Sequence, residues 1–298
     1  MDKLIELIEK KRPNAAASSR TTYKYLLRGL FYMAHDKKTE MDVDWFSKTD
    51  EVVEVLKRRP LSTRKTTAAA LLAVCDDHEC GAYKEMMLKD KDEFNELVLN
   101  GKKSKTQEEN WEEFATIKAM VDRMYMKVKP LLNSKEPLSK SEHKEVQTFI
   151  ILALTTGVFI PPRRSTDWTA MKIHGAIDKT TDNYIEKGHF VFNTYKTAKD
   201  IGQQRFEIPK ELKTILTKWV KLSPNDWLIS SYLSNAPITA TRLSQILNSI
   251  FDKKISTSLL RHIYISDKLK DVPALKELTE MASEMGHSVA EQLKYIRR

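Results

Sequence analysis

A chain of 298 residues, 41% hydrophobic and carrying a formal charge of +9, is long enough to bury a core without disulfides, in one large domain or two of ordinary size. A mean hydropathy of −0.48, with no apolar run near the roughly 18–20 residues of a membrane span, points to a soluble protein with no membrane partner. Two cysteines, Cys75 and Cys80, exclude a disulfide scaffold and make a reducing, intracellular setting the expectation. The opening MDKLIELIEKKRPN lacks the apolar core and cleavage site of a secretory signal.

The first hundred residues read as helices. Ser18 or Ser19 can cap a helix whose apolar stripe runs Tyr23, Leu26, Leu27, Leu30, Phe31, Met33. A second helix fits 50–59, stopped by Pro60, and Ser62 or Thr63 can cap a third through Ala68–Val74. Residues 1–100 hold 18 basic and 18 acidic side chains, so the whole surplus of +9 lies in 101–298. Even so, Lys11, Arg12, Arg20, Lys24 and Arg28 fall in an acid-free stretch, and residues 57–65 read KRRPLSTRK. Arg20, Lys24, Arg28, Arg58, Arg59, Arg64 and Lys65 are the candidate polyanion contacts, nucleic acid first among them, the alternative being a solvated helix face. Arg64 and Lys65 occupy the first turn of a helix, where cations oppose the macrodipole, a placement that a phosphate backbone against the turn would explain.

GKKSKTQEEN, 101–110, reads as a linker, dividing a helical domain over 1–100 from a second domain over 111–298. That second part predicts a helix at 111–128, a turn through Pro130, and a helix capped by Ser139 or Ser141 whose later half is apolar all round. HFVFNTYKT and RFEIP switch to a strand period around a polar turn at 198–203, giving a small antiparallel hairpin. Helices resume at 210–221, 239–251, 256–270, 273–285 and 288–297. The fold class expected is mainly α with a small antiparallel sheet, an α+β arrangement.

No phosphate-binding glycine loop, HExxH site or GxSxG elbow occurs, and Cys75, His78 and Cys80 lack a partner set for zinc, so no metal or cofactor is expected. What stands out is a series of basic residues at the ends of elements. TTGVFIPPRRSTDW puts Arg163 and Arg164 after a buried helix, with Asp167 beyond; an arginine there, oriented by a carboxylate, is a fixed phosphate clamp. NTYKTAK places Lys196 and Lys199 at the hairpin tip, and ISTSLLRHIYIS places Arg261 within an apolar helix. MGHSVAEQLKYIRR gives His287 and then Tyr295 eight residues later. Singly, each has a bland reading as a salt bridge, turn lysine, helix cap or interface aromatic.

In this order the residues resemble the tyrosine recombinase and integrase family, across the whole chain. The family's TGxRxxE is matched if Arg164 is its arginine and Asp167 replaces the glutamate, with VFIPP inserted and Arg163 a rival. Lys196 best matches the family's hairpin lysine, Lys199 next. The HxxRH box reads Ser258-Leu-Leu-Arg261-His262, so Ser258 stands where the family has histidine and the general base is left unassigned. Gly286-His287 and Tyr295 match the third box and the nucleophile, the interval one residue short. EENWEEF and PPRR are nearest to integrases of large DNA viruses, virophages and eukaryotic mobile elements.

The resemblance implies a helical core-binding domain ahead of a catalytic domain that cuts and rejoins double-stranded DNA. Arg164, Arg261 and His287 would bind nonbridging phosphate oxygens, Tyr295 would form a 3′-phosphotyrosyl link, and Lys196 would protonate the departing 5′ oxygen. It implies neither ATP nor metal, a DNA-containing compartment, and a tetramer on paired sites. A type IB topoisomerase-like enzyme and a catalytically silent DNA-binding relative are the alternatives.

Overall fold

The computed structural model describes residues 3–75, 80–231, 234–286 and 288–293. It is mainly helical with one small sheet, the α+β class expected. The chain forms two compact units: residues 103–272, and residues 1–102 together with 273–298. The break after Lys102 lies inside the stretch read as a linker, and the last helices group with the first unit.

In the first unit the helices are α1 (Lys3–Lys11), α2 (Ala17–Ala34), α3 (Thr49–Lys57), α4 (Leu61–Leu71) and α5 (Gly81–Leu99), with a 3₁₀ turn at Asp44–Ser47. Leu27, Leu30 and Phe31 of α2 join Trp45, Phe46, Val52, Leu56, Ala68, Leu71 and Tyr83 in one buried core. Two buried polar groups are satisfied at its edge: the Tyr83 hydroxyl donates to Phe46 O at 2.7 Å and Trp45 Nε1 to Glu51 at 2.9 Å. The serine and threonine caps expected for α2 and α4 are replaced by Ala16 and Pro60, because each helix starts earlier than the hydroxyls suggest. Cys75 and Cys80, expected as free thiols, are joined in a disulfide, the five-residue separation bringing their Cα atoms to 6.1 Å.

The second unit starts at α6 (Lys105–Asn110), so only its leading residues remain outside regular structure where a linker was expected. Ser104 and Gln107 form a reciprocal capping box there. The residues after it are tied down: Asn110 Oδ1 accepts from Lys254 N at 2.7 Å, and Lys253 Nζ donates to Glu112 at 2.6 Å and to Trp111 O at 3.1 Å. Helix α7 (Phe114–Leu132) runs through Pro130, where a turn was expected. Val128 and Leu132, one turn apart on one buried face, hold the helix past the missing N–H.

Helix α8 (Lys140–Thr155) begins with the Ser139/Glu142 capping box and is buried on all sides from Phe149 to Thr155. It is the axis of the unit, packed by α7, α11 (Lys210–Leu222) and α12 (Ala240–Phe251), with α9 (Ser165–Thr169) and α10 (Ala198–Ile201) preceding those last two in the chain. The sheet is β1 (Met171–Lys172), β2 (Asn183–Glu186), β3 (His189–Phe192) and β4 (Gln204–Glu207), in that order, parallel between β1 and β2 and antiparallel after. The expected hairpin is β3–β4; β1 and β2 extend it. Helix α13 (Thr257–Lys268) closes this unit, while α14 (Leu275–Glu284) and α15 (Val289–Leu293) belong to the other. Among the described residues no helix is long and apolar enough to cross a membrane.

Candidate functional site

Three of the five catalytic candidates fall in described parts of the second unit: Arg164 at the start of α9, Lys196 at the hairpin tip and Arg261 on α13. After α8 the chain turns at Gly157, whose φ of +89° and whose neighbour exclude any side chain: a Cβ there would lie 2.4 Å from Tyr264 Cδ2. Tyr264 stands one turn beyond Arg261 on α13, so the face that carries Arg261 is the face laid against the start of the loop carrying Arg163 and Arg164. This close approach sets α13 against the turn that follows α8.

The two adjacent arginines have different fates. Arg163 is engaged on every side: Nε donates to Asp167 Oδ2 at 2.9 Å, Nη2 donates to Gln204 Oε1 at 3.0 Å, and its guanidinium carbon lies 4.0 Å from the Phe192 ring and 5.4 Å from those of Tyr195 and Phe206. Asp167, 1% exposed, therefore orients Arg163 and not Arg164, which corrects the expectation from sequence. The Arg164 side chain, half-buried at the start of α9, has no hydrogen-bond or ion-pair partner among the described residues; its carbonyl accepts from the Asp167 N–H at 3.1 Å. Arg261 is likewise half-buried and unpartnered among them, and Ser258 and His262 are exposed on α13 beside it.

The hairpin tip is built on a polar base. Buried Asn183 accepts at Oδ1 from the N–H groups of Asn193 and Thr194, both at 2.9 Å, and donates at Nδ2 to Thr194 O at 2.8 Å and to Asp167 O at 3.2 Å. The Tyr195 hydroxyl donates to Gly202 O at 2.6 Å across the tip. Lys196 and Lys199 project from this base, exposed and unpartnered among the described residues. Sequence reasoning missed Asn183, Tyr195 and Gln204. Asn183 gives no local signal, and Tyr195 and Gln204 read as ordinary hairpin residues until Arg163 lies between them.

His287 and Tyr295 lie outside the described residues. Gly286, at φ +75°, ends α14 immediately before His287.

The basic stretches of the first unit are largely consumed by the protein itself. Arg64 forms a fork with Asp90, Nε to Oδ2 at 2.8 Å and Nη2 to Oδ1 at 2.6 Å, and this bonding raises its pKa. Lys65 Nζ lies 3.6 Å from the centre of the Phe94 ring. The α4 cations are thus answered by α5, which replaces the phosphate explanation with a carboxylate and an aromatic ring. Arg59 donates to Thr67 Oγ1 at 2.9 Å and Leu26 O at 3.1 Å and contacts Met33 Sδ, and burial lowers its pKa. Arg20 pairs with Glu9 and donates to Ala15 O, and Lys24 lies 5.9 Å from the Tyr25 ring. Arg28 and Arg58 are the two of these seven without such a partner among the described residues.

Among the described residues no cluster of three His, Cys, Asp or Glu side chains could hold a metal ion. A groove between α8 and α12, lined in part by Lys144, Gln147, Thr239 and Arg242, contains none of the candidate residues. No protein-family model matches the chain, and no curated protein does. Among solved structures, the chain is similar to one described as "Crystal structure of XerA recombinase", with a TM-score of 0.35 and 13% identity over 99% of this chain and 93% of that one.

Proposed function

We propose that this protein is a tyrosine-type DNA strand transferase, used as a site-specific recombinase or integrase. The observation that carries the reading is the pair of half-buried guanidinium groups, Arg164 and Arg261, for which the described residues supply no carboxylate while they saturate neighbouring Arg163. A partly desolvated guanidinium without an internal anion is suited to an external one, and a phosphodiester matches its planar donors.

In the reaction Arg164, Arg261 and His287 donate to the nonbridging oxygens of the scissile phosphate and neutralise charge as it grows. The Tyr295 phenol gives its proton to solvent and its oxygen attacks phosphorus. The bond to the 5′ oxygen breaks, and Lys196 donates the proton that makes the leaving group a hydroxyl. Religation by a different 5′ hydroxyl returns that proton to Lys196 and frees Tyr295. Residues 1–100 clamp the duplex, with Arg28 and Arg58 as phosphate contacts, and four protomers assemble on paired sites.

The test is incubation with nicked duplexes of randomised sequence, read as a denaturant-resistant protein–DNA adduct. The wild type forms the adduct and Tyr295→Phe does not, while both bind DNA alike. Absence of an adduct from the wild type would leave only a DNA-binding module. Relaxation of plasmid without sequence preference would move the assignment to a type IB topoisomerase-like enzyme.

A further inference from the structure

We infer that Arg163 is a positioning residue for Lys196: it welds the lysine-bearing hairpin to the loop and short helix that carry Arg164. The inference rests on the strand-transfer reading above. Arg163 reaches three elements at once. Its Nε holds Asp167 on α9, its Nη2 holds Gln204 at the start of β4, and its guanidinium face lies on Phe192 at the end of β3 and on Tyr195, the residue before Lys196. Phe192 and Gln204 are register partners across the hairpin, so the guanidinium straddles both strands at the point where they part to form the tip.

The physical consequence follows from the guanidinium's shape. Its donors are fixed in one plane, so bonds to Asp167 and Gln204 together set the orientation of that plane, and stacking on the rings sets its height above the sheet. The Asp167 carbonyl is also bound by Asn183, which holds Asn193 and Thr194. Two independent ties thus run from α9 to the base of the tip, one through Asn183 to the chain before Tyr195 and one through Arg163 to the ring of Tyr195. Lys196 follows directly. A proton donor to a leaving group loses about two orders of magnitude when misplaced by about 1 Å, so a lysine on a hairpin tip requires such an anchor if it is to serve as a general acid. Arg163 touches neither phosphate nor nucleophile in this scheme and acts only through Lys196.

Leaving-group chemistry separates this role from a structural one. A duplex with a 5′-bridging phosphorothiolate at the scissile bond expels a thiolate, which needs no proton, so a defect in protonation disappears on it while a defect in phosphate binding persists. Single-turnover cleavage is compared on the oxygen and sulfur duplexes for the wild type, Lys196→Ala, Arg163→Lys, Gln204→Leu and Arg164→Ala. Arg163→Lys keeps a charge for Asp167 but cannot span to Gln204, and Gln204→Leu removes only the hairpin arm. Expected on the oxygen duplex are losses of roughly 10²-fold or more for Lys196→Ala and roughly 10-fold to 10²-fold for Arg163→Lys and Gln204→Leu. All three recover to within a few-fold of wild type on sulfur, whereas Arg164→Ala stays slow on both. Rescue of Lys196→Ala without rescue of the Arg163 and Gln204 variants, or cleavage by both at the wild-type rate on oxygen, overturns the positioning role alone. A wild type that forms no adduct on either duplex overturns the strand-transfer reading and this inference with it.

Discussion

The basic segment of α4 and the loop before α9 look alike as strings of residues: each pairs adjacent cations close to a proline, within or just ahead of the first turns of a helix. Their surroundings are opposite. Arg64 meets Asp90 and Lys65 meets Phe94, so α4 and α5 use those cations to pack against each other. In PPRR one arginine is consumed, by Asp167, Gln204 and three rings, and the next is left open among the described residues. The difference teaches that a run of positive charge marks a nucleic-acid surface only where the fold supplies no internal anion or ring to receive it.

The contrast breaks first at the open arginines. Arg164→Ala and Arg261→Ala should each slow adduct formation by about 10²–10³-fold, as loss of a preorganised donor to a developing oxyanion does, while the melting temperature stays near wild type. A large drop in melting temperature with intact cleavage would mean that these guanidinium groups are structural after all. At Arg64 the expected effect is on stability: Arg64→Ala strands a carboxylate that is 3% exposed, at about 2–3 kcal/mol, measurable by urea unfolding. The Arg64→Met/Asp90→Leu double variant should recover most of that, because it removes the buried charge together with its partner.

A smaller effect sharpens the comparison within the first unit. Arg28→Ala/Arg58→Ala should weaken DNA binding and lower its salt slope by about 0.9 for each phosphate that is no longer neutralised, with stability unchanged. Fluorescence anisotropy across a salt series would show it; an unaltered slope would leave this unit without an electrostatic role in binding.

The smallest expected effect is a pH dependence that belongs to the second unit. His143 on α8 is buried beside Trp219, their ring centres 4.8 Å apart, and burial lowers its pKa. The unfolded chain therefore takes up the proton first. This stabilising contribution is complete above about pH 6.5 and is lost as pH falls below it. Melting followed from pH 7.5 to 5 should decline for the wild type and be flatter for His143→Phe.

The amino-acid sequence by itself determined the helices with strong periods or caps. A serine cap at 139 or 141 marks the start of α8, a run apolar on every face makes it the core, and the change to alternating residues marks β3 and β4. It also supplied the order of basic residues behind the functional reading, since order and spacing are properties of the chain. It could not assign partners. Asp167 lies three residues from Arg164 and four from Arg163, and both spacings fit one helical turn; Arg163 takes the carboxylate because only its guanidinium meets Gln204 and Phe192, contributed by strands some thirty to forty residues on. Asp90 and Phe94 likewise reach Arg64 and Lys65 only because α5 folds back along α4. Tertiary packing alone decided which cations are spent inside the protein, because hydrogen bonds and desolvation act through distances that sequence separation does not record.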